Sequence, residues 1–268
     1  MTSTALAAYL NRIQWGGPTA PTLETLSTLL RAHMQAIPFE NFDVLLGRPV
    51  SLDRDAVVDK LVRARRGGYC FEHATLFARA LDDLGFAVAR HSARVTLMFK
   101  RHEVGRLHMF LTVTLRDRVF VVDPGFGGPA ALEPVPLTDA GLDRPDGATH
   151  WMARDGNFWA LRTTVAGEAR DAWVSTLERD HPADFVVANH YTATHPASPF
   201  VNRLMLSRFT ADGRVSVLNR DATIRKGGET RTFLLGDRAA LRALVADHLG
   251  FDLAEVDGLR VPSIPEWN

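Results

Sequence analysis

The first third of the chain carries apolar residues three or four positions apart, which is the spacing of one face of an α-helix. These stripes run from Leu6 to Ile13, from Leu23 to Met34, from Val57 to Val62 and from Cys70 to Leu84. Pro38 follows the second stripe and Gly85 follows the fourth, and both residue types commonly end helices. We therefore predict that this part of the chain is helical.

The middle third changes to the pattern of β-strands. Segments rich in β-branched and apolar residues lie at Val88–Met98, Leu107–Leu115 and Arg118–Asp123, and they predict antiparallel strands. Shorter strands are predicted at Phe158–Thr163 and Ala172–Thr176. The Pro- and Asp-rich stretch between these two groups predicts a surface connection.

The last third mixes both patterns. Arg203–Thr210 and Arg214–Leu218 flank the sequence Ala-Asp-Gly and predict a β-hairpin. Asp237 is expected to cap a helix that runs to Leu249 and is closed by Gly250. Helices, then strands, then a mixture of the two together predict an α+β protein.

Composition places the chain among ordinary soluble globular proteins. Of its 268 residues, 46% are hydrophobic and 23% are charged, which argues against disordered, collagen-like and coiled-coil chains. The 31 basic residues balance the 31 acidic ones, so we expect no nucleic-acid partner and no general affinity for anionic lipid. The chain has one cysteine, which rules out an internal disulfide.

Two segments bear on the location of the protein. Met1–Asn11 has no basic segment followed by an apolar run, so no signal peptide is expected. The longest stretch without Asp, Glu, Lys or Arg is Phe185–Asn202, which contains two histidines and two prolines and is too polar to span a bilayer. We therefore expect a cytoplasmic protein without a membrane partner.

Cys70 is the first candidate for chemistry. It follows a Gly-Gly-Tyr turn and opens a predicted helix, where unpaired N–H groups create a positive potential that favours a thiolate. Arg65 and Arg66 add to that potential if they point inward, and a solvated pair is the equal alternative. The competing interpretation of any lone cysteine is a small buried apolar residue.

A thiolate needs a base, and the base needs an orienting group. Of the ten histidines, His108 is the one inside a well-marked strand. If the hairpin turns symmetrically about Arg116 and Asp117, Asp123 lies opposite Phe110, which makes His108 its diagonal neighbour on the same face. A carboxylate at the end of an apolar strand must be paired or exposed, so an exposed strand end is the alternative role for Asp123.

The cysteine, histidine and aspartate together follow the nucleophile–base–orienter logic of catalytic triads. Other groupings are weaker. His73 follows Cys70 by three positions without the second ligand pair of a zinc site, so we expect no metal. His190 and His195 are interpreted as a loop or structural pair. The Gly125–Gly128 segment matches neither phosphate-binding glycine motif.

Several segments resemble the arylamine N-acetyltransferase family of bacteria. They are Arg-Arg-Gly-Gly-Tyr-Cys-Phe-Glu-His at 65–73, Ile-Pro-Phe-Glu-Asn at 37–41, residues 43–49, Leu-His at 107–108, Val-Asp-Pro-Gly-Phe-Gly-Gly at 122–128 and Thr-His-Pro-Ala-Ser-Pro-Phe at 194–200. The resemblance implies an N-terminal helical bundle, a central antiparallel β-barrel and a C-terminal α/β lid around a cysteine-peptidase-like Cys–His–Asp core. We place the three domains at residues 1–85, 86–185 and 186–268.

The resemblance also implies a function. It implies transfer of an acetyl group from acetyl-coenzyme A (CoA) to arylamines and arylhydrazines, by a ping-pong mechanism through an acetyl-cysteine thioester. The implied catalytic residues are Cys70, His108 and Asp123. The implied CoA contacts are Phe126, Gly127 and Gly128. The implied acceptor contacts are Phe39, Phe126 and Phe200, for which ordinary core packing is the alternative.

Two residues depart from the family pattern. Ala74 stands where the family usually has Asn, and Leu107 stands where it often has a small or hydroxylated residue. We expect the first to leave the thiol chemistry unchanged and the second to alter CoA contacts or the width of the site.

Three other functions stay open at this point. They are an amide synthase that moves a polyketide acyl chain from a carrier protein to an internal amine, a thiol hydrolase, and a scaffold that binds ligand without catalysis. The sequence leaves open the natural acceptor, the acyl chain, the role (detoxification of xenobiotics, catabolism or biosynthesis) and whether the protein is a monomer or a dimer.

Overall fold

A computed structural model describes residues 4–267, and the part of the chain up to Asp83 is mostly helical. Its helices are α1 (Thr4–Arg12), α2 (Leu23–Ala36), α3 (Phe42–Leu45), α4 (Arg54–Val58), which continues as a π-helical turn over Asp59–Arg63, and α5 (Cys70–Asp83). Residues 1–3 and 268 lie outside the described residues. They include the start of the segment searched for a signal peptide and the ends of the first and last predicted domains.

The predicted helical stripes form the core of this region. Leu6, Leu26 and Leu30 are buried between the first helices, and Phe77 and Leu81 are buried on α5. Burial of each such side chain contributes about 1.5–3 kcal/mol. Helix α5 contacts α4 and also the two strands that follow it in the chain, at Ala87–Val95 and His108–Leu115. The helix that begins at the cysteine therefore packs both on a helix and on the sheet.

The middle of the chain forms a seven-stranded antiparallel sheet. Its strands are β2 (Ala87–Val95), β3 (His108–Leu115), β4 (Arg118–Val122), β5 (Val135–Pro136), β6 (His150–Asp155), β7 (Phe158–Val165) and β8 (Glu168–Ser175). The order is β5-β4-β3-β2-β8-β7-β6. The two outer strands, β5 and β6, contact each other, so the sheet is a nearly closed barrel. The sequence pattern predicted neither of them, and β5 lies in the stretch that was expected to be a surface connection.

The hairpin of β3 and β4 has the predicted register. Leu111 pairs with Val122 and Leu115 pairs with Arg118, which confirms a symmetrical turn at the two residues between the strands. Arg116 takes a left-handed conformation there, with φ of 57°. Asp123 therefore follows directly on β4, opposite Phe110.

A second sheet joins the two ends of the chain. Its strands are β1 (Phe39–Glu40), β9 (Met205–Thr210), β10 (Gly213–Leu218), β11 (Asp221–Lys226) and β12 (Glu229–Leu234), in the order β1-β9-β10-β11-β12. The hairpin of β9 and β10 confirms the prediction, whereas β11 and β12 were not predicted. Strand β1 comes from the helical region and pairs with β9, so this sheet includes residues from the first and the last predicted domains. The three-domain division stays a prediction.

The C-terminal helix follows its predicted signals. Asp237 accepts a hydrogen bond from the Ala240 N–H at 2.8 Å and caps a helix over Arg238–Leu244, which continues as a π-helical turn to Leu249. Gly250 closes it in the left-handed conformation, with φ of 82°. The α+β class is thus confirmed, and the description of this last part as a lid stays a prediction.

The interpretation of His190 as a loop residue is wrong. It lies in a helix over Pro182–Thr194, which we label α6, and a short helix α7 follows over Pro199–Asn202. His195, just after α6, stacks on Tyr191 with ring centroids 4.2 Å apart. The apolar residues of α6 lie on both its buried and exposed faces, so no helical stripe marks it. Within residues 4–267, no helix has the length and apolar character needed to cross a membrane.

Candidate active site

Cys70 is the first residue of α5, as predicted, and is 3% exposed. Its Sγ lies 4.0 Å from the carbonyl oxygen of Leu107, the residue before β3. The N–H groups of the first turn of a helix have no partner within that helix. The thiol therefore lies where backbone donors and the positive end of the helix dipole converge.

Two glycines bring the chain to this point through tight contacts. Gly68 donates its N–H to the carbonyl of Pro38 at 3.2 Å and accepts from the N–H of Glu40 at 2.8 Å. A Cβ on Gly68 would lie 2.6 Å from a carboxylate oxygen of Glu72, and one on Gly67 would collide with the Pro38 carbonyl. Gly67 is thus required by close approach of the Pro38 backbone and Gly68 by the packing of the Glu72 side chain, rather than by unusual φ values.

A cluster of buried and half-buried charged side chains supports the start of α5. Arg66 bonds both Glu40, at 2.7 Å, and Asp43, at 3.2 Å, and Lys60 bonds Asp43 at 2.6 Å and Glu72 at 2.8 Å. Glu72 also accepts from the N–H of Tyr69, the residue that caps α5, at 3.1 Å. The cluster therefore ties the cap of the helix to α3 and to the turn after α4.

The arginines before the cysteine do not supply the positive potential considered for the thiol. Arg66 is neutralised by two carboxylates, and Arg65 is exposed. Burial raises the pKa of Glu72 to about 7, although the nearby Lys60 opposes this shift. The sequence motif around Cys70 thus serves largely to build and anchor the helix start.

The structure brings His108 and Asp123 together. Nε2 of His108 donates to Oδ2 of Asp123 at 2.7 Å, and both residues are 2% exposed. Burial by itself lowers the pKa of His108, but the charge and hydrogen bond of Asp123, followed by those of Cys70, raise it to about 10. Because Nε2 is occupied by Asp123, Nδ1 is the ring nitrogen left for an interaction with Cys70.

Trp173 completes the surroundings of the carboxylate, and the sequence reasoning missed it. Its Nε1–H donates to the same Oδ2 of Asp123 at 2.9 Å, and its ring stacks on Phe110 at 4.2 Å. The second oxygen, Oδ1, is buried and has no hydrogen-bond partner among residues 4–267. A buried Trp needs an acceptor for its N–H, but sequence alone does not show that β8 lies beside β2 and thus near Asp123.

The loop after Asp123 passes directly over the nucleophile. A Cβ on Gly125 would lie 2.7 Å from Cα of Cys70 and 2.8 Å from Cβ of His73, and one on Gly127 would lie 2.6 Å from the ring of Phe39. Arg214 donates to the carbonyl of Gly127 at 2.7 Å. The glycines thus let the loop fit between α5, β1 and the second sheet.

The predicted aromatic residues gather beside this loop. Phe126 meets His108 edge-on with centroids 5.3 Å apart, and Phe39 and Phe200 are 6.2 Å apart. Tyr69 contacts Phe200 at 5.3 Å and is a further member that the sequence reasoning missed. Phe39 and Phe126 are buried, whereas Phe200 is half-buried. These rings form an apolar wall next to the loop, and Phe126 is the member in contact with the His108 imidazole.

A basic cavity of about 830 Å³ lies between the barrel and the second sheet. Its lining includes four arginines, which are Arg31, Arg144, Arg214 and Arg225. Nε of Arg214 and the hydroxyl of Thr164 are buried there without a hydrogen-bond partner in the described part of the chain. Burial, reinforced by the charge of Arg225, lowers the pKa of Arg214 to about 10. Such a cavity favours an anionic, oxygen-rich ligand.

A cavity of about 950 Å³ lies elsewhere, between the β2–β3 connection and β7 and β8, and none of the predicted site residues line it. Arg101 and Arg162 in its lining are already paired with Asp155 and Asp171. None of the predicted site residues line the smaller cavity either, and its Arg31 is paired with Glu133. Its Arg214, however, donates to the Gly127 carbonyl, which places this cavity next to the loop of the candidate site.

The chain matches known proteins over most of its length. The model of the N-acetyltransferase family matches residues 22–257. The arylamine N-acetyltransferase of Mycobacterium tuberculosis is 36% identical over 261 residues, covering 94% of this chain and 90% of that protein. The solved arylamine N-acetyltransferase of Salmonella typhimurium has a TM-score of 0.87 at 33% identity, covering 94% of this chain and 92% of that one. That of Mycobacterium marinum in complex with CoA has a TM-score of 0.86 at 34% identity, covering 94% of each chain.

Proposed function

Because the chain belongs to the arylamine N-acetyltransferase family, we propose that it transfers the acetyl group of acetyl-CoA to an arylamine or arylhydrazine. The relatives that carry this name support the reaction, and the complex of the Mycobacterium marinum protein with CoA supports the donor. The observation that carries the proposal in this chain is the hydrogen-bonded pair of His108 and Asp123 beside a thiol at a helix N-terminus.

In the first half-reaction, His108 takes the proton of the Cys70 thiol, and Asp123 holds the resulting imidazolium. The thiolate attacks the carbonyl carbon of acetyl-CoA and forms a tetrahedral oxyanion. The N–H of Cys70 is a donor for that oxyanion, worth roughly 3–4 kcal/mol where it is well placed. The intermediate collapses, the CoA thiolate leaves with the proton of His108, and acetyl-Cys70 remains.

In the second half-reaction, the amine nitrogen attacks the thioester carbonyl. Acetylation has removed the thiol group of Cys70, whose charge and hydrogen bond contribute to the high pKa of His108. The pKa of the imidazole therefore falls in the acetyl-enzyme, and His108 accepts the proton of the attacking amine. The Cys70 thiolate leaves beside the protonated His108, and the N-acetylated amine is the product of this half-reaction.

The acceptor class follows from the state of the amine at neutral pH. An alkylamine such as a lysine side chain, with a pKa of about 10.4, is protonated and has no free electron pair. An arylamine is neutral because its electron pair is delocalised into the ring. The aromatic wall of Phe39, Phe126 and Phe200 beside His108 supports an aromatic acceptor.

The CoA contacts are proposed at the loop after Asp123 and at the basic cavity. Gly127 and Gly128 let a pantetheine chain pass close to the backbone, and Phe126 lies between this loop and His108. The phosphates of CoA would then lie in the cavity near Arg214 and Arg225, where charge-assisted hydrogen bonds are available. Leu107, whose carbonyl faces the thiol, is the departure from the family pattern that lies closest to this path.

Mass spectrometry of the protein mixed with acetyl-CoA, without acceptor, tests the proposal. One acetyl group is expected on the peptide that contains Cys70, and Cys70→Ala serves as the control that cannot carry it. Adding an arylamine should remove the group and yield the acetylated amine. A wild-type protein that stays unmodified, or a group that appears equally in Cys70→Ala, contradicts the proposal.

The same experiment separates the alternatives. An amide synthase would ignore free acetyl-CoA and take an acyl group from a carrier protein. A thiol hydrolase would release acetate into water at a rate that the arylamine does not change. A scaffold that only binds would retain CoA without any adduct. The cytoplasmic location, the role in xenobiotic metabolism and the oligomeric state stay predictions or open questions.

A further inference from the structure

Three buried side chains form a hydrogen-bonded chain beneath the nucleophile that the proposed chemistry does not use. The hydroxyl of Tyr9 on α1 bonds Nδ1 of His33 on α2 at 3.0 Å, and Nε2 of His33 bonds Nδ1 of His73 on α5 at 2.9 Å. Nε2 of His73 bonds the carbonyl of Pro38 at 3.1 Å. Tyr9, His33 and His73 are 1%, 0% and 1% exposed, so the hydrogen-bonded chain is shielded from bulk solvent.

The last acceptor fixes the direction of every bond in this chain. The Pro38 carbonyl can only accept, so His73 donates from Nε2 and, as a neutral imidazole, accepts at Nδ1. His33 must then donate from Nε2 and accept from the Tyr9 hydroxyl at Nδ1. Burial lowers the pKa of His73 to about 4 and that of His33 well below its usual value, which keeps both rings neutral.

The chain ends at the segment that carries a proposed acceptor contact. The Pro38 carbonyl also accepts from the N–H of Gly68, two residues before Cys70, and the next residue along the chain is Phe39. The ring of Phe39 lies against Gly127 and faces Phe200. The position of the Pro38 peptide therefore sets where the Phe39 ring lies relative to the thiol.

We propose that Tyr9, His33 and His73 are positioning residues for the arylamine, because their hydrogen bonds fix the Pro38 peptide and with it the Phe39 wall of the acceptor site. This inference rests on the proposed function. A fully satisfied polar network in a core selects one arrangement more strictly than apolar packing does. The nucleophile has further supports of its own in the Glu72 and Lys60 bonds and in the β3–β4 hairpin.

Separating the two half-reactions tests this inference. Acetyl-enzyme is formed with acetyl-CoA, freed of excess donor and mixed with rising concentrations of an arylamine. His33→Leu removes two hydrogen bonds of the chain, and we expect the half-saturating arylamine concentration to rise about tenfold. Tyr9→Phe removes one, and we expect a rise of about threefold. The rate of acetyl-Cys70 formation should stay within about twofold of wild type, because the nucleophile has its own supports.

His33→Gln is the rescue variant, because a carboxamide can accept from Tyr9 and donate to His73 at once. It should restore half-saturation to within about twofold of wild type. Leu29→Ala, one turn earlier on the same helix and fully buried, is the matched control that lowers stability without breaking the chain. Its half-saturation should not change.

The outcomes distinguish this inference from the proposed function. A wild-type protein that forms no acetyl-Cys70 contradicts the proposed function. If acetyl-Cys70 forms normally but half-saturation is unchanged in Tyr9→Phe and His33→Leu, the positioning inference is wrong. It is equally wrong if both half-reactions fall together, or if Leu29→Ala raises half-saturation as much as His33→Leu, because the three residues then act only through stability.

Discussion

Two groups of buried side chains near the nucleophile contain histidine, and the pKa of the histidine is shifted in opposite directions in them. They are the His108–Asp123 pair and the His33–His73 pair of the hydrogen-bonded chain. The pKa of His108 is raised to about 10 although burial opposes it, because the carboxylate of Asp123 is 2.7 Å away. The pKa of His73 is lowered to about 4 by burial, and its side-chain partner is the His33 imidazole rather than a carboxylate. Both histidines are buried, so the neighbouring side chain decides whether the imidazole is protonated and takes part in catalysis or stays neutral and has a structural role.

This difference predicts that removing the Asp123 carboxylate slows acetyl-Cys70 formation more than any single change to the His33–His73 pair does. Asp123→Asn replaces the anion by a neutral amide of the same shape, so the imidazolium loses its counter-charge and the ring can adopt the wrong tautomer. We expect acetyl-Cys70 formation to fall by about 10³–10⁴-fold, as in other triads. Single-turnover mass spectrometry measures the rate, and circular dichroism should show an intact fold. A rate near that of wild type would remove Asp123 from the catalytic group.

The two pairs should also give opposite contributions to stability as the pH changes. His33 and His73 have pKa values below those of the unfolded chain, so the unfolded state binds more protons and stability falls as the pH drops below about 6.5. For His73 alone the loss at pH 4 is on the order of 3 kcal/mol. His108, with its raised pKa, adds stability below pH 6.5 that is lost as the pH rises from about 6.5 to 10.

Urea unfolding at a series of pH values separates these contributions. His33→Gln keeps the hydrogen bonds and removes one titrating group, so its acid limb should be flatter than that of wild type. Asp123→Asn should instead flatten the alkaline limb. Parallel curves for wild type and both variants would mean that the histidines titrate alike in the folded and unfolded states.

A smaller effect is expected at Trp173, which supports the carboxylate with one hydrogen bond. Trp173→Phe removes the N–H to Asp123 and retains a ring that can stack on Phe110. The loss of about 1.5 kcal/mol, the lower end for one hydrogen bond to a charged group, should slow acetyl-Cys70 formation about 10-fold. Trp151→Phe, whose Nε1 bonds the carbonyl of Gly141 instead, is the matched control. Equal losses in both variants would assign the effect to packing.

The sequence predicts the proposed catalytic residues better than it predicts the neutral hydrogen-bonded chain. Local rules suffice for the former: a glycine turn followed by an apolar stripe places Cys70 at the start of α5, and a two-residue hairpin fixes the register of His108 and Asp123. The chain of Tyr9, His33 and His73 joins three helices that are far apart in sequence. No local pattern indicates which buried histidine will meet which partner, so this chain and the bond from Trp173 needed the structure.

The missed secondary structure has an equally physical reason. Strand β12 is exposed along nearly all of its length and β11 has few buried positions, so neither shows an alternation of apolar and polar residues. Helix α6 carries Val186 and Val187 on its exposed side, which removes the stripe that marks the other helices. Strand β11 is set by its pairing with β10 and β12 by its pairing with β11, and α6 is set by packing, rather than by a sequence pattern.

Titration of the His108 ring by NMR tests the central claim most directly. In the wild-type protein without ligand, the ring signals of His108 should remain those of an imidazolium from pH 6 to above pH 8 and change near pH 10, the value to which Asp123 and Cys70 raise its pKa. The midpoint should fall in Asp123→Asn and in the acetyl-enzyme. A His108 that titrates near 6.5, the ordinary pKa of histidine, in all three proteins would contradict the account.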